Sequence, residues 1–133
     1  GPVAAPLRPA AAALRVELSG LRSQRGVVHL CLTPSATRFL NCQGDRAALA
    51  RSVPAARAAE LDLGPIPAGT YALLIVHDEN GNGRLDMTMG IPREGFGFSN
   101  NPAMRPRAPK WEEIRFVMPP AAVRQQVRIR YVL

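Results

Sequence analysis

Lysine is almost absent from this chain. Lys110 stands alone among 17 Lys and Arg residues, set against 10 Asp and Glu for a net charge of +7. Arginine and alanine in excess over lysine fit a GC-rich genome, so the charge by itself asks for no polyanion. Aromatic residues are also sparse, at 5%. Nucleic-acid readers interleave several aromatic rings with basic side chains. Here only Trp111 lies near a basic cluster, formed by Arg105, Arg107 and Lys110. Nucleic acid is therefore not an expected partner. An anionic surface, such as lipopolysaccharide or acidic lipid, stays open as a partner for that cluster. No run of 18 apolar residues exists, which excludes a membrane-spanning helix. Neither Cys-x-x-Cys nor His-Glu-x-x-His occurs, so zinc and dithiol chemistry lack their usual frames. Gly-x-Ser-x-Gly is missing as well.

What the chain does have is alternation. At 133 residues it is one domain by length. Its 13 Pro and 11 Gly favour many short elements over long helices. Apolar residues recur at every second position in 14–18, 59–63, 114–118 and 127–131, as in half-buried strands. Residues 26–32 and 71–77 are nearly continuous apolar runs, suited to central strands covered on both faces. Short, turn-rich connections between such segments indicate an all-β fold, an antiparallel β-sandwich of about seven strands. Only 46–59 offers a helical turn, interrupted by Pro54. Residues 87–113 form one long Gly/Pro-rich connection, in which Phe96 and Phe98 are expected to pack into the core. Gly1-Pro2 matches a protease-cleavage scar, and the Ala/Pro-rich stretch to Ala13 reads as a flexible leader. The folded domain is then expected over 14–133.

The most specific stretch is 78–86, Asp-Glu-Asn-Gly-Asn-Gly-Arg-Leu-Asp. Calcium takes six to eight oxygen ligands, and tight loops supply them from alternate residues. Against a helix–loop–helix calcium loop, Asp78, Asn80 and Asn82 fall at positions 1, 3 and 5. Gly83 falls at the sharp turn, Arg84 offers its carbonyl at position 7, and Asp86 stands at position 9. Position 12 is Met89, so the usual bidentate Glu is missing; if metal binds, the last ligand must come from elsewhere, and Glu94 is the nearest acid downstream. A metal-free turn remains the alternative, because Asn80-Gly81 and Asn82-Gly83 are both hairpin signals. Ca²⁺ of structural rather than catalytic use is the expected cofactor.

Cys31 and Cys42 permit a disulfide closing a small loop. A disulfide, a calcium-type loop and an Ala/Pro-rich leader all suit an oxidising compartment, the periplasm or the cell exterior. A catalytic site is harder to assemble. His77 and Asp78 are adjacent in a strand and point to opposite faces, so a Ser99–His77–Asp78 triad is unfavourable. A histidine at a strand end bonds more readily to backbone than to zinc.

The Pro67-Ala-Gly-Thr-Tyr71 turn resembles that of transthyretin-like and carboxypeptidase-regulatory-like sandwiches, where the Tyr hydroxyl closes a corner. Residues 77–86 followed by Gly90-Ile-Pro-Arg-Glu-Gly-Phe-Gly-Phe-Ser-Asn100 resemble the signature of domain-of-unknown-function family 2141. The 69–72 turn and the 111–116 segment fit the same pattern, and the resemblance spans 14–133. It implies an Ig-like or transthyretin-like sandwich exported by bacteria, and it supplies no catalytic residues. The expected function is a non-catalytic module that binds a partner at the cell envelope. The alternative is a periplasmic carrier of a small apolar or anionic ligand, held between the long loop and the sheet. A hydrolase is the least supported reading.

Overall fold

The structure is a computed structural model that describes residues 11–37, 39, 42, 45–81, 87–88, 91–92 and 94–132, with backbone alone at 87–88 and 91–92. Its strands are β1 (Ala11–Ser19), β2 (Val27–Thr33), β3 (Leu49–Pro54), β4 (Glu60–Pro67) and β5 (Gly69–Asp78). Then follow β6 (Met87–Thr88), β7 (Ile91–Pro92), β8 (Gly95–Phe98), a short helix α1 (Trp111–Ile114), β9 (Phe116–Met118) and β10 (Val123–Arg128). One sheet has the order β10-β1-β4. The other runs β3-β2-β5-β8, with β9 pairing the start of β5. β6 and β7 form a separate two-stranded ribbon.

Alternation decides which faces meet. Leu14, Val16 and Leu18 of β1 are buried, as are Leu61, Leu63 and Ile66 of β4. They join one cluster with Val28, Leu30 and Leu32 of β2 and Leu73 and Ile75 of β5. Two sheets that each bury one face against the other make a β-sandwich. Pairing is antiparallel throughout the larger sheet, while β1 and β10 pair in parallel. The Tyr71 hydroxyl donates to the Pro67 carbonyl at 2.8 Å, closing the corner between β4 and β5. Cys31 and Cys42 are bridged, with Cα atoms 6.1 Å apart.

Several boundaries differ from the sequence reading. β1 begins at Ala11, so 11–13 belong to the fold rather than to a leader; residues 1–10 lie outside the described residues. Within 46–59 the main element is strand β3, and only Ala55–Arg57 is helical. Arg51 stands opposite buried Leu30, at a position where alternation would place an apolar residue, and this hides the strand. Ile114 closes α1 instead of opening a strand. β10 starts at Val123, before the alternating segment, and ends at Arg128. There the chain changes sheet: Ile129 N–H bonds to Ser19 of the first sheet, and Arg130 bridges Phe96 of the second.

The long connection contains β8, which the sequence reading missed. Its inward positions are glycines. A Cβ at Gly97 would lie 2.7 Å from the Val127 side chain, and one at Gly95 would lie 2.8 Å from Ile129. Glycine therefore lets β8 lie close against the last residues of the chain. Phe96 and Phe98 take the opposite face. They are half-buried, with ring centroids 6.0 Å apart, and do not join the core cluster as expected.

Candidate cation-binding loop and its surroundings

Asp78 is the last residue of β5, and its side chain is 1% exposed. The loop then turns at once: Gly81 N–H donates to the Asp78 carbonyl at 3.2 Å, and Gly81 has φ 66°. Asn80-Gly81 thus supplies a turn in which only glycine adopts the left-handed backbone at no steric cost. Asn80 is exposed beside it. Asn82, Arg84 and Asp86, the middle of the candidate ligand set, lie outside the described residues, as does Met89.

Glu94 is 4% exposed, and its Oε2 accepts the Glu79 N–H at 2.9 Å. The downstream acid therefore reaches back to the start of the loop. Asp78 and Glu94 are two nearly dry carboxylates framing one loop. Buried carboxylates require hydrogen bonds, ion pairs or a metal to offset lost hydration. Among the described residues, no three His, Cys, Asp or Glu side chains gather as a metal site.

Asp78 has a protein partner that the sequence did not indicate. His29 Nε2 lies 3.0 Å from Asp78 Oδ2, and His29 Nδ1 lies 2.8 Å from Ser52 Oγ. A carboxylate only accepts, so Nε2 donates to Asp78, while Nδ1 pairs with the Ser52 hydroxyl. Ser52, His29 and Asp78 come from β3, β2 and β5, on the outward face of the larger sheet. His29 stands opposite Ser52 and diagonal to Asp78. Alternation shows which face a residue takes, but not which residue faces it across strands.

Glu79 ties this end to the 20–26 connection. Its carboxylate accepts from Arg22 Nε at 2.7 Å, Ser23 Oγ at 2.9 Å and Arg25 Nη2 at 3.2 Å, and the Arg22 Nη2 group also pairs with it. Burial pushes its carboxyl up, but the hydrogen bonds from Arg22 and Ser23 and the Arg22 charge outweigh this and hold it below its ordinary 4.5. The Arg22 guanidinium also stacks 4.3 Å from the centre of the Tyr131 ring. Burial raises the Tyr131 hydroxyl above its usual range.

His77 is fully buried between these groups. Its Nε2 donates to the Arg25 carbonyl at 2.8 Å, and its Nδ1 pairs with the Tyr131 hydroxyl at 2.6 Å. Both ring nitrogens are occupied, one of them by backbone, as the strand-end reading expects. Ser99 is not brought to it. Ser99 Oγ accepts from the Leu73 N–H at 3.0 Å and donates to the Ile114 carbonyl. Leu73 lies four residues from His77, roughly 13 Å along the strand.

The basic cluster is partly neutralised. Arg107 makes a bidentate pair with Glu113 at 2.7 and 3.3 Å. That pair and the Lys110 N–H hold the Glu113 carboxyl down at about 2. Arg105 and Lys110 are exposed, so the cluster presents fewer free cations to an anionic surface than its sequence shows.

Among the described residues, no helix is long and apolar enough to cross a membrane. The profile of a family described as "Uncharacterized protein conserved in bacteria (DUF2141)" matches residues 16–126. No curated protein and no solved structure matches the chain.

Proposed function

The chain belongs to the bacterial family DUF2141, and from that premise we propose that it is a non-catalytic, exported binding module whose loop between Asp78 and Glu94 is organised by Ca²⁺. The observation that carries this reading is the burial of both acids that frame the loop, Asp78 at 0% and Glu94 at 4% exposure. Asp78, Asn80, Asn82, the Arg84 carbonyl, Asp86 and Glu94 form the ligand set, all oxygen donors of the kind a hard cation takes. The Cys31–Cys42 bridge supports an oxidising compartment, periplasmic or extracellular. There millimolar calcium suits a site with few carboxylates. His77 and Ser99 spend their polar atoms on the fold, which favours binding over catalysis.

Thermal unfolding with and without calcium tests this. A ligand that binds only the folded state raises its stability with concentration. Millimolar Ca²⁺ should raise the melting temperature, and Mg²⁺ should raise it less, because Mg²⁺ gives up water reluctantly. The shift should vanish in Asp86→Ala and in Asp78→Ala, whatever their own melting temperatures. No shift in the wild type, or an equal shift in both variants, would sink the calcium site.

A further inference from the structure

β3 and β4 are the outermost strands of their two sheets, and both leave one edge unpaired among the described residues. Between these edges runs an open cleft of about 500 Å³. Leu49 and Arg51 of β3 form one wall; Leu63, Pro65 and Ile66 of β4 form the other; Tyr71 lies at one end. A second hollow of about 320 Å³ shares Arg51 and Leu63 and extends the trough toward Arg57. Volumes of roughly 300–1,000 Å³ with mostly apolar walls and few polar groups are the usual form of a small-molecule site.

Among the described residues, Arg51 is the only charged one lining the larger cleft. It shares the strand phase of Leu49 and Val53 and stands opposite Leu30, yet at this sheet edge it is exposed to solvent. No carboxylate or other polar group engages its guanidinium among the described residues. An arginine next to apolar walls and without a partner is complementary to an apolar molecule with one anionic group. The far hollow also carries Glu60 and Asp62. Glu60 is paired with Arg15 at 3.7 Å, and Asp62 accepts the Gly64 N–H at 2.8 Å. The larger cleft carries no acid and is lined mainly by apolar residues, so the apolar chain is placed there, from Arg51 toward Tyr71. A peptide strand fits less well. Pro65 and Pro67 of β4 have no N–H to offer, so that edge cannot complete a ladder.

We propose that the cleft between β3 and β4 binds a free single-chain fatty carboxylate, its head on Arg51 and its chain along Leu49, Leu63 and Ile66. This gives the carrier reading a place, on the sandwich edge rather than under the long loop. It does not depend on the calcium site. A competing role for Arg51 exists, since an exposed charge on an edge strand also discourages edge-to-edge association.

Titration calorimetry with laurate, below its micellar concentration, tests the proposal on the intact protein. Wild type should bind laurate at one site. Arg51→Gln should weaken laurate at least tenfold, as expected for a lost charge-assisted contact worth about 1.5–3 kcal/mol. Dodecanol, which has the chain without the charge, should bind both proteins equally. Ile66→Glu should weaken laurate and dodecanol alike, and inorganic phosphate should not compete. Chelator should change none of these values, so failure of the calcium reading would leave this one standing. Absence of laurate binding in wild type would overturn the proposal. So would unchanged laurate affinity in Arg51→Gln, and self-association of that variant would then assign Arg51 to edge protection alone.

Discussion

The end of β5 and the β3–β4 edge handle charge in opposite ways. At the first, Arg22, Arg25, Glu79, Asp78 and Glu94 all have polar partners, and a buried histidine has both nitrogens bonded. At the second, Arg51 lies beside an apolar trough without one among the described residues. A buried polar group that is fully bonded fixes the backbone around it and is costly to disturb. A cation with no protein partner adds little to the fold and is available to a ligand. The contrast separates a region that builds the molecule from a region that is free to bind. It also accounts for the setting of the candidate calcium loop, which springs from the rigid end and has its first turn pinned by Asp78 and Gly81.

The contrast predicts its largest effect at Gly26. This glycine has φ 74° and sits against the β5 end. A Cβ there would overlap the Asp78 carbonyl oxygen and lie 2.5 Å from that of Glu79. Both are backbone atoms and have no rotamer by which to move aside. Gly26→Ala combines a left-handed alanine with overpacking and should cost about 3–4 kcal/mol in urea unfolding. A loss below about 1 kcal/mol would mean that this end is softer than its bonds imply.

Glu79 should give a middle-sized and pH-dependent effect. Its carboxyl is held below 4.5 in the folded state. A group whose folded value is depressed stabilises the protein above its unfolded value, and this stabilisation is lost as pH falls through the folded value. Glu79→Gln should therefore cost about 1–3 kcal/mol at pH 7. The gap to wild type should narrow below pH 4.5. Urea melts at pH 7 and pH 3 measure both. An equal gap at the two pH values would show that side-chain shape, rather than charge, holds the 20–26 connection to the loop.

These residues also mark how far the sequence could be read. Leu14–Val16–Leu18 announce their strand because the period of two is unbroken. Tyr71 and the Cys31–Cys42 pair are local enough for their roles to follow from neighbours in the chain. That Glu94 lies beside the start of the loop was not encoded locally; the structure shows it accepting the Glu79 N–H. β3 was hidden by Arg51 at an apolar phase, and β8 by glycines that replace side-chain packing with close backbone approach. The His29–Ser52–Asp78 chain was beyond reach for a different reason. It depends on cross-strand register, which turns and long connections set jointly and which no single segment encodes. The trough was invisible for the same cause, because its walls come from the edges of two different sheets.

Arg51 should show the smallest stability effect of the three. Among the described residues it has no hydrogen bond or ion pair to lose, and its strand is bonded on one side only. Glutamine keeps the length and polarity of the side chain while removing the charge. Arg51→Gln should therefore leave unfolding free energy within about 0.5 kcal/mol of wild type. Removing a repulsion-free charge from apolar walls carries no desolvation penalty, so a small gain is as compatible with the contrast as no change. A loss of more than about 1 kcal/mol would break it, since the guanidinium would then be holding the edge of the sandwich together. Laurate supplies the sharper form of the same measurement. If Arg51 is kept for a ligand, the melting temperature of wild type should rise with laurate, and that of Arg51→Gln should rise far less at the same concentration. Equal shifts in the two proteins would place the ligand elsewhere and return Arg51 to the role of a guard on an exposed edge.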